Sequence, residues 1–235
     1  MTIFKKKVRK GCKDIWNSWM VKDAKFVKGM PVSKSTEHIP TAIISYEEAL
    51  SIYHKNMKLG KKSFKVHAYI HFYLDDQKFD GPSGVWNKPK NFIKILIHFD
   101  GCIVPDFSTY LDFPEAIRKY NYYRMFVIAY WLTSNNYNCI HNLRWNSDSF
   151  GYCFKGIAKG STVAIGTVAC QLRNPINRML FEIGLYKAIQ QIKPKTIIIY
   201  GGAKLSILNS LKTRGINIIV FKSRMNKYYG GTKNE

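Results

Sequence analysis

The segment "TIIIYG", residues 196–201, places three isoleucines in succession, with no alternation of apolar and polar residues. A second segment of this kind, "TVAIGT", spans residues 162–167. Strands that are apolar on both faces are typical of parallel sheets, because helices cover such strands on each side. Both segments therefore predict central strands of an α/β domain.

Four other segments have the composition of strands, and helical segments lie between most of them. The six strand candidates are "FKVHAYIHFYL" (64–74), "GCIVP" (101–105), "NCIHNL" (138–143), "TVAIGT" (162–167), "TIIIYG" (196–201) and "INIIVF" (216–221). The helical candidates span 91–99, 114–134, 176–192 and 203–215. This alternation predicts βα units and a largely parallel sheet of about six strands, either open or curled into a partial barrel.

The first strand candidate differs from the later ones because its residues alternate. Its even-numbered residues from Phe64 to Leu74 are apolar, whereas its odd-numbered residues from Lys65 to Asp75 are polar or aromatic. Successive side chains of a strand point to opposite faces of the sheet. One face of this strand is therefore expected to meet a polar environment.

The chain before residue 63 is interpreted as a basic N-terminal extension with helices. A basic cluster precedes an apolar set at helical spacing within residues 15–20, which predicts a short helix. A second helix is predicted from an N-cap at Ser45 to a stop at Gly60. The predicted units are the arm and helices at 1–62, the α/β core at 63–225 and a basic flexible tail at 226–235.

The balance of charge is strongly basic, with 37 Lys and Arg against 15 Asp and Glu and a formal net charge of +22. The net charge is +10 over residues 1–65, zero over 66–150 and +12 over 151–235. Basic flanks predict a polyanionic partner, and we expect nucleic acid, with DNA favoured over RNA. The residues expected to bind it are Lys5, Lys6, Lys7, Arg9, Lys10, Lys13, Arg124, Trp145, Lys222, Arg224 and Lys227.

Several classes of protein are excluded by composition. No apolar run reaches the roughly 18 residues of a membrane-spanning helix. The N-terminus is basic but lacks the apolar stretch of an export signal. The five cysteines are scattered and never form a CxxC pair, which argues against a disulfide framework and a zinc site. The sequence therefore predicts a cytoplasmic protein without a membrane partner.

Functional residues of α/β sheets and barrels lie just beyond the carboxyl ends of the strands. In this sequence the rule selects Asp75, Asp76, Asp106, Phe107, Ser108, Arg144, Trp145, Thr167, Gly201 and Gly202. Parallel neighbouring strands would bring these side chains to one rim. The alternative for each Asp is a structural role in a turn or helix cap.

Three kinds of site are predicted at this rim. Catalytic roles are assigned to Asp75, Asp76, Asp106, Ser108 and Arg144, which combine carboxylates with a hydroxyl and a guanidinium. Asp75 and Asp106 are the expected ligands of Mg²⁺ or Mn²⁺, since hard cations prefer oxygen. Phosphate binding is assigned to Thr167, Gly201 and Gly202, because "YGG" opens a helix at the end of a strand.

Several motifs together resemble a known family. They include "FYLDD", "FDGCIVPDFSTYLDFP", "YNYYR", "NLRW", "CFKGIAKGSTVAIGT" and "KPKTIIIYGG". In this order they resemble the phage and bacterial family filed as domain of unknown function 4417, over roughly residues 70 to 222. The resemblance implies a phage, plasmid or other mobile-element context and an α/β domain, but no particular reaction. The family's motif positions would be Asp75, Asp76, Asp106, Ser108, Arg124, Trp145 and Gly201.

Three functions are compatible with these features. The first is a nucleic-acid-binding protein that acts in DNA replication or processing, with metal-assisted phosphodiester chemistry at the Asp-lined rim. The second is an enzyme of base or sugar chemistry, with Asp75 or Asp106 as nucleophile or general base in glycosyl transfer. The third is a DNA-binding protein without catalysis, in which the carboxylates are structural.

Overall fold

Strands and helices largely alternate along the chain from residue 43 onwards in the computed structural model, which describes residues 2–3, 8–202 and 206–223. The strands are β1 (Thr2–Ile3), β2 (Lys25–Val27), β3 (Met30–Pro31), β4 (Ile43–Ser45), β5 (Val66–His71), β6 (Phe99–Ile103), β7 (Cys139–Asn142), β8 (Val163–Gly166), β9 (Thr196–Tyr200) and β10 (Asn217–Phe221). The helices are α1 (Tyr46–Lys58), α2 (Pro89–Leu96), α3 (Glu115–Ser134), α4 (Pro175–Ile192) and α5 (Ser206–Thr213).

Strands β4 to β10 form one seven-stranded sheet in which every strand neighbours the next one along the chain. All six pairings are parallel. The α/β class and the six predicted strands are confirmed. The seventh strand, β4, is three residues long and therefore gives no periodic signal in the sequence. Because β4 lies at Ile43–Ser45, the sheet begins inside the segment interpreted as the N-terminal extension.

The sheet is strongly curled, as the contacts between β5 and β9 demonstrate. The rings of Tyr73, just after β5, and Tyr200, in β9, are stacked with centroids 5.1 Å apart. Three strands separate β5 from β9, so a flat sheet would hold them about 19 Å apart. Contact across that interval requires a concave face, and the fold is a partial barrel.

The two faces of the sheet are covered differently. The convex face packs against the helices in a large apolar core that includes Ile70 and Phe72 of the first long strand segment. The concave face has a small core of its own, formed by Tyr69, Ile103, Ile140, Ala164 and Ile198. Helices on both sides were expected for the apolar strands, but the curl of the sheet covers the second face instead. The alternation seen in the first strand separates these two cores.

The start of α1 follows the sequence prediction. Ser45 accepts a hydrogen bond from the Glu48 N–H, and the Glu48 carboxylate accepts one from the Ser45 N–H. This capping box satisfies two backbone groups of the first turn. Gly60 has φ +70° just after the helix, a conformation that glycine adopts without strain.

The N-terminal region differs from the predicted arm with a short helix. Residues Ser18–Val21 form a single 3₁₀ turn. Asn17 is in the left-handed conformation, with φ 51°, and the Asp14 carboxylate accepts from the Ser18 N–H at 3.0 Å, so no longer helix forms there. Strands β1, β2 and β3 form a small antiparallel sheet, which the sequence did not indicate.

The helices of the described residues include none that is long and apolar enough to cross a membrane. The predicted tail at 226–235 lies outside the described residues.

Candidate functional site at the carboxyl rim

A chain of hydrogen bonds joins three strands at the carboxyl end of the sheet. The Tyr73 hydroxyl donates to Asn142 Oδ1 at 3.0 Å, and Asn142 Nδ2 donates to Asp106 Oδ1 at 2.6 Å. Arg144 donates from Nη1 to the same Asp106 oxygen at 2.5 Å and from Nε to Thr109 Oγ1 at 3.0 Å. These five side chains are called the rim network.

Burial and charge set the protonation states within the rim network. Burial alone would lower the pKa of Arg144, but the adjacent Asp106 carboxylate raises it above its ordinary value, so the guanidinium stays charged. Burial, followed by the charge of Asp106, raises the pKa of Tyr73 well above its ordinary value. Tyr73 is therefore a neutral hydrogen-bond donor. The charged Arg144 guanidinium thus lies directly beside the Asp106 side chain at the rim.

Asp76 and Ser108 form a second pair beside the network. The Asp76 carboxylate accepts from the Ser108 N–H at 2.9 Å and from its hydroxyl at 3.0 Å. Burial raises the pKa of Asp76, the Ser108 hydrogen bonds lower it, and the charge of Asp106 raises it further. Asp76, Ser108, Asp106 and Arg144 are therefore brought into one electrostatic site, as the sequence predicts.

Asp75 behaves differently from its neighbour. Its side chain is exposed, and within the described residues it has no hydrogen bond or ion pair. The described residues also contain no group of three or more His, Cys, Asp or Glu arranged to hold a metal ion. A metal held by Asp75 and Asp106 stays a prediction.

The three residues predicted to bind phosphate hold β8 and β9 together. The Thr167 hydroxyl donates to the Gly202 carbonyl at 2.9 Å. Gly201 has φ +117°, and a Cβ added there would lie 2.6 Å from Thr167 Oγ1. Only glycine fits that position, so this part of the motif has a structural explanation, while its phosphate role stays a prediction.

A cleft of about 550 Å³ opens beside the rim network. Its walls come from the loops after β6 and β7, from the end of β8 and from α4, and we call it the rim cleft. Its lining residues include Tyr110, Arg144, Trp145, Phe150, Asn177 and Leu180. Aromatic and aliphatic walls with a few polar groups are typical of sites for small organic ligands.

Trp145 forms one wall of the rim cleft. Its indole Nε1 donates to the Leu180 carbonyl of α4 at 3.3 Å. A Cβ added at Gly184 would lie 1.9 Å from the same nitrogen, so the indole packs directly on the backbone of α4. Asn174 caps this helix by accepting from the N–H groups of Ile176 and Asn177, which fixes its first turn at the cleft.

Tyr110 also lines the cleft and is 54% exposed. The Arg144 guanidinium carbon is 5.9 Å from the centre of its ring. Tyr110, Tyr73 and Asn142 were not predicted from the sequence as site residues. Tyr73 was visible on the polar face of its strand, and Asn142 ends a predicted strand, so both could have been selected.

Apart from Trp145, which lines the rim cleft, the residues predicted to bind nucleic acid fall into three groups. Arg9, Lys10, Lys13 and Lys222 are exposed. Lys5, Lys6, Lys7, Arg224 and Lys227 lie outside the described residues. Arg124 is buried, because it donates to Asp80 at 2.6 Å and lies 3.8 Å from the ring centre of Phe107. Its charge is used within the fold and is not presented at the surface.

Two exposed arginines at the rim were not predicted. Arg173 and Arg178 lie in the connection from β8 and in the first turn of α4, at the carboxyl end of the sheet. Lys222 follows the last residue of β10 and lies at the same end. Within the described residues none of these three forms an ion pair. Their charges are available to a ligand at the rim.

Comparison with known proteins identifies the family. A family model described as "Domain of unknown function (DUF4417)" matches residues 23–222. The chain belongs to the DUF4417 family. The DUF4417 region therefore includes β4 and α1, which extends the resemblance seen from residue 70 onwards.

Two phage proteins are similar to part of this DUF4417 member. The Gene 1 protein of Mycobacterium phage L5 is 32% identical over 134 residues, which are 56% of this chain and 56% of the phage protein. The Gene 1 protein of Mycobacterium phage D29 is 31% identical over 134 residues, 56% of this chain and 48% of that protein. The chain thus spans about half the length of the curated relatives it matches. No solved structure matches it significantly.

Proposed function

We propose that this protein binds nucleic acid at the carboxyl rim of its sheet and acts there in the replication or processing of phage DNA in the host cytoplasm. The observation that carries the proposal is the rim network, in which Asp106 and Arg144 are held 2.5 Å apart at the edge of the rim cleft. A net charge of +22 and phage relatives support a polyanionic partner.

The distribution of exposed cations fits the rim as the binding face. Arg173, Arg178 and Lys222 lie at the rim without ion pairs among the described residues. The opposite end of the sheet also has lysines, including Lys55 and Lys58 in the last turn of α1. Cations in the last turn of a helix stabilise its dipole, so those lysines have an explanation that the rim cations lack.

Binding to DNA between about 50 and 200 mM salt tests the proposal. Counterion release predicts that affinity falls steeply and linearly on logarithmic axes over this range. Wild-type protein is titrated into labelled single-stranded and double-stranded oligonucleotides at each salt concentration. Absence of binding, or binding without a salt slope, would reject the proposal.

The chemistry proposed at the rim centres on Asp106. Metal-assisted phosphodiester cleavage would use Asp75 and Asp106 to hold Mg²⁺ or Mn²⁺, whose role is to neutralise charge on the phosphate. Asp106→Asn keeps the shape of the side chain and removes its charge. We expect this variant to lose metal-dependent strand cleavage while it retains salt-dependent binding to the DNA phosphates.

A second candidate is base or sugar chemistry, and the pairing of Asp106 with Arg144 favours it. The Arg144 guanidinium occupies the position directly beside the Asp106 carboxylate, and the adjacent rim cleft has aromatic walls. This candidate is supported if the wild-type protein releases or exchanges bases without cleaving the DNA strand. Asp106→Asn should then abolish that reaction. If neither strand cleavage nor base chemistry occurs in the wild type, the protein is a DNA-binding protein without catalysis.

A further inference from the structure

We infer that the rim cleft takes a single unpaired nucleobase, so that the preferred ligand is a single strand or a base displaced from a duplex. This inference rests on the proposed function and specifies its substrate. It depends on the walls of the cleft, on its unused hydrogen-bond donors and on its cationic border.

The walls of the cleft suit a flat aromatic ligand. Tyr110 presents an exposed ring on one side, and Trp145, Phe150 and Leu180 line other parts of the cleft. Bases stack on aromatic side chains without regard to sequence. The volume of about 550 Å³ lies within the range of small-ligand sites.

The donors of Arg144 supply the polar contact. Its Nε and Nη1 atoms are bonded to Thr109 and Asp106, while Nη2 has no hydrogen bond to another described residue. The guanidinium lines the cleft, and 23% of the side chain is exposed. Arginine pairs with the carbonyl and ring-nitrogen acceptors of bases. Asp106 holds this arginine in place before the base enters.

Two exposed arginines close in sequence to the cleft-lining residues suit the phosphates that accompany a base. Asn177, in the first turn of α4, lines the cleft, and Arg178 follows it directly as an exposed residue. Arg173 lies in the loop that leads into the same helix. A strand could therefore place one base against Tyr110 while its phosphates contact these arginines.

Duplex DNA cannot supply such a base without distortion. Its bases are stacked on both faces and paired at their Watson–Crick edges, so entry into a cleft requires unstacking and unpairing. An unpaired strand avoids that cost. A preference for single strands over a duplex of the same sequence follows.

Tyr110→Ala is the variant that isolates the stacking contact. Its side chain is 54% exposed, so its removal leaves the apolar core intact. Tyr186→Ala is the matched control, because Tyr186 is 52% exposed on α4 and does not line the cleft. Tyr110→Phe keeps the ring and removes only the hydroxyl.

The experiment measures dissociation constants of the wild type and these variants for one oligonucleotide as a single strand, as a duplex and as an abasic strand with the same phosphates. Tyr110→Ala should weaken single-strand binding about 5- to 150-fold, and Tyr110→Phe and Tyr186→Ala should stay within about twofold of the wild type. Abasic strands should bind the wild type as weakly as they bind Tyr110→Ala, because the two changes remove the same contact.

Two contrary results are distinguishable. Salt-dependent binding that is equal for single strand, duplex and abasic strand, and insensitive to Tyr110→Ala, would overturn the base-binding cleft and leave the proposed function standing. Absence of binding to all three ligands would overturn the proposed function and this inference together.

Discussion

Arg144 and Asp106 are paired at 2.5 Å across the carboxyl ends of β7 and β6, with about one fifth of each side chain exposed. Replacing Arg144 by Met would leave Asp106 partly buried with Asn142 as its remaining donor among the described residues. Because the pair is only partly shielded from water, we expect a loss of about 2 kcal/mol in the free energy of unfolding. Urea denaturation at neutral pH measures it.

The control for this prediction is an exposed ion pair of similar length. Lys195 and Glu37 are also 2.5 Å apart, but about two thirds of each side chain is exposed. Lys195→Met should leave the urea midpoint unchanged, because solvent screens the pair. Adding Asp106→Asn to Arg144→Met should recover part of the lost stability, since no unpaired charge remains. Purely additive losses would contradict a coupled pair.

Gly184 is predicted to be essential for the packing of Trp145 on α4. A methyl group at this position would lie 1.9 Å from the indole nitrogen, so the ring must move. Gly184→Ala should lower the free energy of unfolding by about 1 to 3 kcal/mol, although alanine normally favours a helix. Gly151→Ala is the control, since the space around Gly151 is open. Equal stability of the two variants would show that Trp145 is not fixed there.

His141 should make the fold sensitive to acid. It is buried in β7 with Nε2 2.5 Å from Ser33 Oγ, and burial lowers its pKa from 6.5 to about 4. The unfolded chain binds this proton more tightly than the folded protein does. The contribution of neutral His141 to the free energy of unfolding is therefore complete above about pH 6.5 and is lost as the pH falls towards 4. The shift corresponds to about 3 kcal/mol.

Urea denaturation of the wild type and of His141→Gln at pH 7 and pH 4 tests this assignment. The variant should be less stable than the wild type at pH 7 because it loses the buried packing of the imidazole. Between pH 7 and pH 4, the free energy of unfolding of the variant should fall by about 3 kcal/mol less than that of the wild type. Parallel pH profiles would assign the acid sensitivity to other groups.

The sequence predicts the order of the elements well because their signals are local. Apolar runs such as Ile197–Ile199 and the capping box at Ser45 are read within a few residues. The three-residue strand β4 is missed because its pairing with β5 depends on residues more than 20 positions away. The sequence left an open sheet and a partial barrel as alternatives, and the contact of Tyr73 with Tyr200 decides between them.

The candidate site was predicted in part by the rule for strand ends. That rule predicted that Asp76, Asp106, Ser108 and Arg144 lie at one rim, but it gave no distances between their side chains. The sequence does not indicate which charged side chains pair with each other. Arg124 was therefore expected at the surface, although an ion pair with Asp80, 44 residues away, holds it inside the fold. Pairing of charges depends on tertiary structure, which a count of basic residues does not contain.

The most direct test of rim binding compares two triple variants that remove three exposed positive charges each. Arg173, Arg178 and Lys222 are replaced by Gln at the rim, and Lys55, Lys58 and Lys62 are replaced by Gln near the end of α1, at the opposite end of the sheet. The measurement is the slope of log affinity against log salt for a single-stranded oligonucleotide. We predict that the rim variant lowers the slope by about 2 and that the other variant leaves it nearly unchanged. A slope that falls only in the α1 variant, or equally in both, would contradict binding at the rim.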